Sequence, residues 1–105
     1  MAQVVLNKKE LLKQLSANSG RIKSLGVKRL AFFGSFIRNE VKADSDVDFY
    51  VEFADGSKNF DNFMDLADLL EEITGRNIEL LTPQSLSKYL GPYILKELEY
   101  ANLAA

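Results

Sequence analysis

Hydrophobic and polar residues follow two different periods along this chain, and these periods predict its main strands and helices. Over Asp46–Phe53 every second residue is apolar, which is typical of a strand with one buried and one polar face. Val27–Phe33 ends in an apolar run, as expected for a buried central strand. Asn59–Thr74 has helical spacing and is followed by Gly75, a typical helix end. The predicted buried face of that helix comprises Phe60, Phe63, Met64, Ala67, Leu70 and Ile73.

Shorter elements are predicted around these three segments. Asn7 and Glu10 have the spacing of a capping box, which predicts a first helix ending near residues 17–20. The other predicted elements are helices over Arg21–Leu25, Phe36–Val41, Leu86–Leu90 and Pro92–Leu103 and a strand over Asn77–Leu81. This order predicts an α/β (α+β) protein with a sheet of three or more strands covered by helices. A chain of 105 residues suits one such domain, which we expect to span residues 1–105.

The composition narrows the chemistry of any active site. The chain contains no His and no Cys, which excludes Ser-His-Asp and Cys-His triads, His-based or thiolate zinc sites, and disulfides. An enzyme built from these residues must rely on carboxylates, hydroxyls, Lys, Arg and backbone amides. Carboxylate oxygens favour hard divalent cations such as Mg²⁺ or Mn²⁺.

The net charge of −2 conceals an uneven distribution. Residues 1–42 hold nine Lys and Arg against two Glu, whereas residues 43–105 hold four against thirteen acidic residues, a division that can mark a basic and an acidic surface. The pI of about 5.1 argues against extended contacts with nucleic-acid phosphates, so we expect no direct nucleic-acid binding. No signal peptide or apolar run of membrane-spanning length is visible, and we expect a cytoplasmic protein without membrane association.

Three features of the sequence carry candidate chemistry. Gly34 and Ser35 follow the first strand and open a short helix, where backbone amides can approach a phosphate. After ten further residues, Asp46 and Asp48 point to one side of a strand, and a divalent cation would relieve their repulsion. Glu79 joins them if the polar faces of two strands align. Each feature also has a plain structural interpretation: a strand-to-helix turn, an exposed polar strand face, and an exposed glutamate.

The segment GSFIRNEVKADSDVDFYVEF, residues Gly34–Phe53, resembles the GSFARG…SDxDxxVEF signature of nucleotidyltransferases with the DNA polymerase beta fold. The small size of the chain points to the minimal nucleotidyltransferase (MNT) group of that superfamily. Similar stretches at Gly26–Leu30, Gly75–Pro83 and Ile94–Leu98 extend the resemblance over about residues 20–101. The resemblance implies a small mixed β-sheet flanked by helices.

The resemblance also implies a reaction and a set of site residues. The reaction is transfer of a nucleotide from a triphosphate, ATP in this group, with two Mg²⁺ ions or Mn²⁺ in their place. The implied metal ligands and catalytic carboxylates are Asp46, Asp48 and Glu79, and the implied nucleotide-binding residues are Gly34, Ser35 and Arg38.

The family further implies a protein partner. MNT proteins are commonly encoded beside a HEPN-domain protein, as the antitoxin and the ribonuclease toxin of a pair. We therefore expect a hetero-oligomer in which AMP is transferred to a hydroxyl on the HEPN partner. The alternative is a catalytically weak or inactive antitoxin or scaffold that acts by binding that partner. An acidic stripe on the long predicted helix could dock a basic partner or simply face solvent: Asp61, Asp65, Asp68 and Glu72.

The chain departs from the family signature at two positions. Asn39 replaces a usual Gly, a mild change because Asn tolerates left-handed backbone. Glu79 replaces a usual Asp, which keeps the charge but moves the carboxylate by about 1 Å, a shift that can cost roughly a hundredfold in rate. Arg38 matches the signature arginine, and either phosphate contact or an ion pair with Glu40 or a strand carboxylate fits its position.

Overall fold

The two strongest predicted strands form the centre of a mixed four-stranded sheet in the computed structural model, which describes residues 4–103. Strand β1 (Val27–Phe33) pairs antiparallel with β2 (Val47–Phe53). Strand β3 (Ile78–Leu81) runs parallel to β2 at one edge, and β4 (Glu99–Tyr100) runs antiparallel to β1 at the other. The order is therefore β3-β2-β1-β4, and the expected mixed sheet is confirmed.

The helices begin and end at residues with recognisable capping chemistry. The Asn7 and Asn59 side chains accept hydrogen bonds from the backbone N–H groups of Glu10, at 2.9 Å, and Asn62, at 2.8 Å. Gly75 ends the longest helix in a left-handed conformation, with φ +68°. The helices are α1 (Lys8–Ala17), α2 (Ser19–Ser24), α3 (Ser35–Arg38), α4 (Phe60–Thr74) and α5 (Gly91–Glu97), with a 3-10 turn at Pro83–Ser85.

The two faces of the sheet are covered by different elements. One face, including Phe32, Phe49 and Val51, packs with side chains of α1, α2, α3 and α4 in the main core. The opposite face carries Tyr50 in a second cluster with residues of β1 and β3, of α5 and of the segments on either side of α5: Ala31, Phe33, Leu81, Leu86, Ile94 and Leu98. Tyr50 belongs to the polar face by alternation, yet it is buried because α5 covers this part of the sheet.

The C-terminal third differs from the sequence-based prediction. Residues 86–90 form a turn rather than a helix, and α5 ends at Glu97 instead of Leu103. Beyond Leu98 the chain is extended, because residues 99–101 bond to the free edge of β1, as in Ala101 N–H to Leu30 O at 2.8 Å. A two-residue strand is too short to show an alternating pattern, so the sequence predicted that the helix continues to Leu103.

The buried face of α4 is also only partly the predicted one. Leu70 and Ile73 are buried as expected, but Phe60 is 76% exposed and Met64 is 40% exposed. Leu66 and Leu69 take their place in the core. The first turn of the helix therefore extends away from the core.

Among residues 4–103, no helix has the length and apolar character needed to cross a membrane.

Candidate active site

The register of the sheet places two of the predicted site carboxylates, Asp48 and Glu79, side by side. Asp48 on β2 lies opposite Phe33 of β1 on one side and opposite Glu79 of β3 on the other. Directly paired residues point to the same face of a sheet, so Asp48 and Glu79 are neighbours on one face. Asp46 directly precedes β2, and its charge acts on Asp48. The sequence-based expectation that Glu79 lies beside Asp48 is thus met by the strand register.

Asp48 occupies a position that disfavours its ionised form. The side chain is half-buried, and burial, followed by repulsion from Glu79 and Asp46, raises the pKa of Asp48 to about 6. Glu97 adds to this repulsion, whereas the positive charge of Arg38 opposes it. A cation bound beside Asp48 would remove the electrostatic cost of keeping this carboxylate ionised.

The site carboxylates differ from Glu52, which lies farther along the same face of β2. Arg29 Nη2 donates a hydrogen bond to Glu52 Oε2 at 2.7 Å, and the Tyr50 hydroxyl lies 3.2 Å from the same oxygen. Within the part of the chain that the structure describes, no ion pair or side-chain hydrogen bond engages the carboxylates of the site: Asp46, Asp48 and Glu79. Their charge is therefore available to a ligand.

The Gly34–Ser35 turn lies directly against Asp48. Gly34 has φ +80° and ψ −142°, a conformation that residues with a side chain rarely adopt. A Cβ atom at this position would collide with Asp48 Oδ2. Ser35 follows as the half-buried first residue of α3. Glycine is therefore required both by the backbone and by the close approach of the carboxylate.

The donor set fits a divalent cation that is shared with a substrate. Within residues 4–103 the side chains do not converge into a ready cluster of three or more metal ligands. Mg²⁺ is usually held in proteins by one or two carboxylates together with substrate phosphates. Asp48 supplies a carboxylate beside the Gly34 turn, and the charge of Asp46 acts on it. That Asp46, Asp48 and Glu79 hold a metal ion stays a prediction.

Arg38 ends α3 and forms two ion pairs. Its Nε donates to Glu40 Oε1 at 2.7 Å and its Nη1 donates to Glu97 Oε1 at 2.6 Å. These pairs raise the pKa of Arg38, first through the hydrogen bond to Glu40 and then through the charge of Glu97. The pairing with Glu40 agrees with one of the two sequence-based interpretations. The partner on α5 was not expected, and phosphate contact stays a prediction.

Comparison with known proteins identifies the family. A protein-family model described as a nucleotidyltransferase domain matches residues 8–101 of the chain. The chain belongs to this nucleotidyltransferase family. A relative from Thermococcus cleftensis, the protein adenylyltransferase MntA, is 32% identical over 101 residues, which cover 95% of this chain and 99% of the relative. The recognition of a minimal nucleotidyltransferase is confirmed.

Solved structures show that this nucleotidyltransferase shares its fold with MNT proteins. A protein assigned as a minimal nucleotidyltransferase matches with a TM-score of 0.67 and 28% identity, covering 84% of this chain and 93% of that one. A second matching structure is that of the tri-AMPylated HEPN toxin of Shewanella oneidensis in complex with an MNT antitoxin. That match has a TM-score of 0.53 and 20% identity and covers 85% of this chain and 71% of that one.

Sequence reasoning missed two residues beside the site of this nucleotidyltransferase. Glu97 approaches from α5 through Arg38, and its position depends on a tertiary contact that no local pattern indicates. Arg76 is buried, although an arginine is expected at the surface. The sequence offered one signal of its role. Arg76 lies between Gly75, which ends α4, and β3, so it is held at the start of the strand that carries Glu79.

Proposed function

We propose that this nucleotidyltransferase transfers AMP from ATP to a hydroxyl on a partner protein, with Mg²⁺ as cofactor. The observation that carries the proposal is the contact between the Gly34 turn and Asp48. It places the glycine of this turn against Asp48, which, like Asp46 and Glu79, forms no ion pair among the described residues. Phosphates and a divalent cation are the ligands that such a pair of features accommodates together.

The turn and α3 would hold the phosphates of ATP. Gly34 keeps the approach to Asp48 free of a side chain, and Ser35 offers a hydroxyl as a hydrogen-bond donor. Arg38 could contribute by exchanging Glu40, its exposed partner, for a phosphate oxygen. Ion pairs at the surface are weak because solvent screens them, so this exchange costs little.

The carboxylates would hold the cation and the acceptor. Asp46 and Asp48 are the proposed Mg²⁺ ligands, and Mn²⁺ offers the same preference for oxygen. When bound, the metal supplies charge stabilisation to the attacking and leaving oxygens of an in-line displacement. The backbone ladders on both sides of β2 orient Asp48, since it pairs with β1 and β3 at the same position. Such orientation before the reaction lowers the barrier without new contacts.

The proposed reaction is a single displacement at the α-phosphorus of ATP. The acceptor hydroxyl oxygen forms a bond to this phosphorus, the bond to the oxygen that bridges to the β-phosphorus breaks, and pyrophosphate leaves. The hydroxyl proton passes to a carboxylate. Glu79 is the candidate acceptor of that proton because it is exposed on the edge strand β3, beside Asp48.

The acceptor is proposed to belong to a HEPN-domain toxin, which makes this chain the antitoxin of a hetero-oligomeric pair. The full-length similarity to the adenylyltransferase of Thermococcus cleftensis supports protein adenylylation. The fold shared with an MNT antitoxin bound to an AMPylated HEPN toxin supports this class of partner. The acidic stripe of α4 is exposed, and Arg21 pairs with Glu72 at its end.

The proposal is tested by mixing the purified chain with ATP, Mg²⁺ and the protein encoded by the adjacent gene, which the proposal expects to be a HEPN-domain protein. We expect the intact mass of the partner to increase by one or more AMP groups. Asp46→Asn combined with Asp48→Asn should abolish the increase. A matched variant, Asp61→Asn with Asp65→Asn on α4, removes the same charge away from the site and should retain it. AMP addition by the first double variant would refute the proposed site.

The second candidate function, an antitoxin that acts by binding alone, is favoured by the two ion pairs that already occupy Arg38. Isothermal titration calorimetry separates the two functions. Binding of ATP in the presence of Mg²⁺, lost in the Asp46→Asn and Asp48→Asn double variant, supports the enzyme. Tight binding of the partner without any binding of ATP supports the scaffold.

A further inference from the structure

A buried arginine holds the loop that leads into the site. Arg76 is 8% exposed, and among residues 4–103 its guanidinium donates hydrogen bonds to backbone carbonyls alone. Nη1 lies 3.0 Å from Lys42 O, 3.4 Å from Ala43 O and 2.8 Å from Ser45 O, while Nε lies 2.7 Å from Val5 O. One side chain thus joins the segment before α1 to the loop 42–45.

That loop ends where the candidate metal ligands begin. It is a turn in which Lys42 N–H donates to Ser45 Oγ at 2.7 Å, and the next residue is Asp46. Val47 N–H then bonds to Asn77 O at 3.0 Å, beside Arg76 in the chain. The position of Asp46 is therefore set from the carboxyl side by the sheet and from the amino side by a turn whose carbonyls bond to Arg76.

The same guanidinium also contacts the other arm of the site. Its central carbon lies 5.5 Å from the centre of the Phe36 ring, which is within the range of a cation–π interaction. Phe36 is 1% exposed and lies on α3, directly after Gly34 and Ser35. Arg76 therefore packs against the helix that follows the proposed phosphate turn, and it bonds to the loop that precedes the proposed metal ligands.

The chemistry of this contact requires arginine. A buried charge is costly unless hydrogen bonds satisfy it, and here carbonyl oxygens do so in place of a carboxylate. The planar guanidinium can donate in two directions while its face stacks on a ring. A lysine at this position keeps the charge, but its compact ammonium cannot span Val5 O and the loop carbonyls while it stacks on Phe36.

We propose that Arg76 is a positioning residue of the active site. It fixes loop 42–45 relative to α3, and so fixes Asp46 relative to the Gly34–Ser35 turn, without touching the nucleotide. The catalytic consequence rests on the proposed function, whereas the structural coupling of the two arms does not. Arg76→Lys should therefore leave the fold intact but loosen the loop and weaken metal-assisted nucleotide binding.

The test compares Arg76→Lys with Arg29→Lys in the full chain. Arg29 is a matched control because it also stacks on a ring, Tyr100, at 5.0 Å, but it pairs with Glu52 away from the turn. Hydrogen–deuterium exchange at residues 42–47 reports on the loop. Calorimetry with Mn²⁺ and a non-hydrolysable ATP analogue reports the Mn²⁺ concentration that gives half-maximal nucleotide binding.

We expect Arg76→Lys to speed exchange in the loop and to raise the required Mn²⁺ concentration about 10- to 100-fold, as for other residues that orient metal ligands. Arg29→Lys should change neither quantity. If Arg76→Lys does not fold, Phe36→Leu removes only the stacked arm and should give the same shifts in smaller size. Exchange and Mn²⁺ dependence that match the wild type in a folded variant would overturn the proposal.

The two readouts keep this inference separate from the proposed function. If the wild-type chain binds no nucleotide with Mn²⁺, the proposed function fails, and loop exchange alone decides whether Arg76 couples the two arms. If the wild type binds nucleotide but loop exchange is unchanged in Arg76→Lys, the inference about Arg76 fails and the proposed function stands.

Discussion

Among single residues, Asp48 has the most contacts with the rest of the candidate site: it lies against Gly34 and pairs with Glu79. The sequence showed the spacing of Asp46 and Asp48 and the phase of the strand, so both carboxylates could be predicted. The half-burial of Asp48 and its contact with Gly34 could not, because they depend on which strands lie beside β2. Strand order and direction are set by non-local packing, which a period of two does not encode.

The pKa of Asp48 predicts how stability depends on pH in the absence of metal. The pKa is raised from 3.8 to about 6 in the folded protein, so between these values the folded chain retains a proton that the unfolded chain releases. The contribution of Asp48 to the free energy of unfolding is therefore present below about pH 4 and is lost as the pH rises through about 6.

Urea denaturation in EDTA at pH 4.5 and 7 measures this effect, with Asp48→Asn as the reference in which this titration is absent. We expect the stability of the wild type, relative to Asp48→Asn, to be lower at pH 7 than at pH 4.5. Titration of the other carboxylates cancels to first order in the comparison. A stability difference between the two proteins that does not change with pH would show that folding does not raise the pKa of Asp48.

Gly34→Ala tests the close approach of the turn and Asp48. The new Cβ requires an unfavourable positive φ and collides with Asp48 Oδ2, so we expect a loss of about 1–3 kcal/mol in the free energy of unfolding and a loss of ATP binding. Gly20→Ala on α2 is the control, since nothing lies within 4 Å of its added Cβ. That variant should be neutral or slightly stabilising. Unchanged ATP binding by Gly34→Ala would contradict the proposed phosphate site.

At the scale of elements, predictions succeeded where the pattern was long and capped. Strands β1 and β2 and helix α4 lie within a residue of the predicted segments, because Asn59 and Gly75 mark the ends of α4 with specific hydrogen bonds. The prediction for the segment after β3 was wrong because residues 86–90 and β4 are too short to show a hydrophobic period. The contact of α5 with the site was missed for the same reason.

Glu97 of helix α5 is expected to weaken ATP binding through its effects on Arg38 and Asp48. Glu97 holds Arg38 at 2.6 Å and also raises the pKa of Asp48. Glu97→Gln should free one face of Arg38 for phosphate and reduce repulsion at Asp48, which tightens ATP binding up to about fivefold, the equivalent of one surface ion pair. Glu99→Gln, which breaks only the pair with Lys8, should leave the affinity unchanged. Calorimetry checks both variants, and weaker binding by Glu97→Gln would contradict this role.

At the scale of the whole molecule, the uneven charge of the sequence does not produce separate basic and acidic surfaces. Four of the ion pairs among residues 4–103 join a cation from the first part of the chain to an acidic residue from the second, such as Lys8 to Glu99 and Arg29 to Glu52. The fold interleaves the two halves. Within the described part of the chain, the carboxylates of the site form no such pairs, which agrees with the proposed binding of a cation.

The fate of the individual phosphates of ATP distinguishes transfer of AMP from every other reaction of ATP. The chain, Mg²⁺ and the proposed HEPN-domain partner are incubated with ATP labelled at the α- or the γ-phosphate, and label on the partner is measured after separation. Nucleotidyl transfer predicts label on the partner from α-labelled ATP only, and none with Asp46→Asn and Asp48→Asn. Label transferred from γ-labelled ATP, or α-label that persists in the double variant, would contradict nucleotidyl transfer at this site.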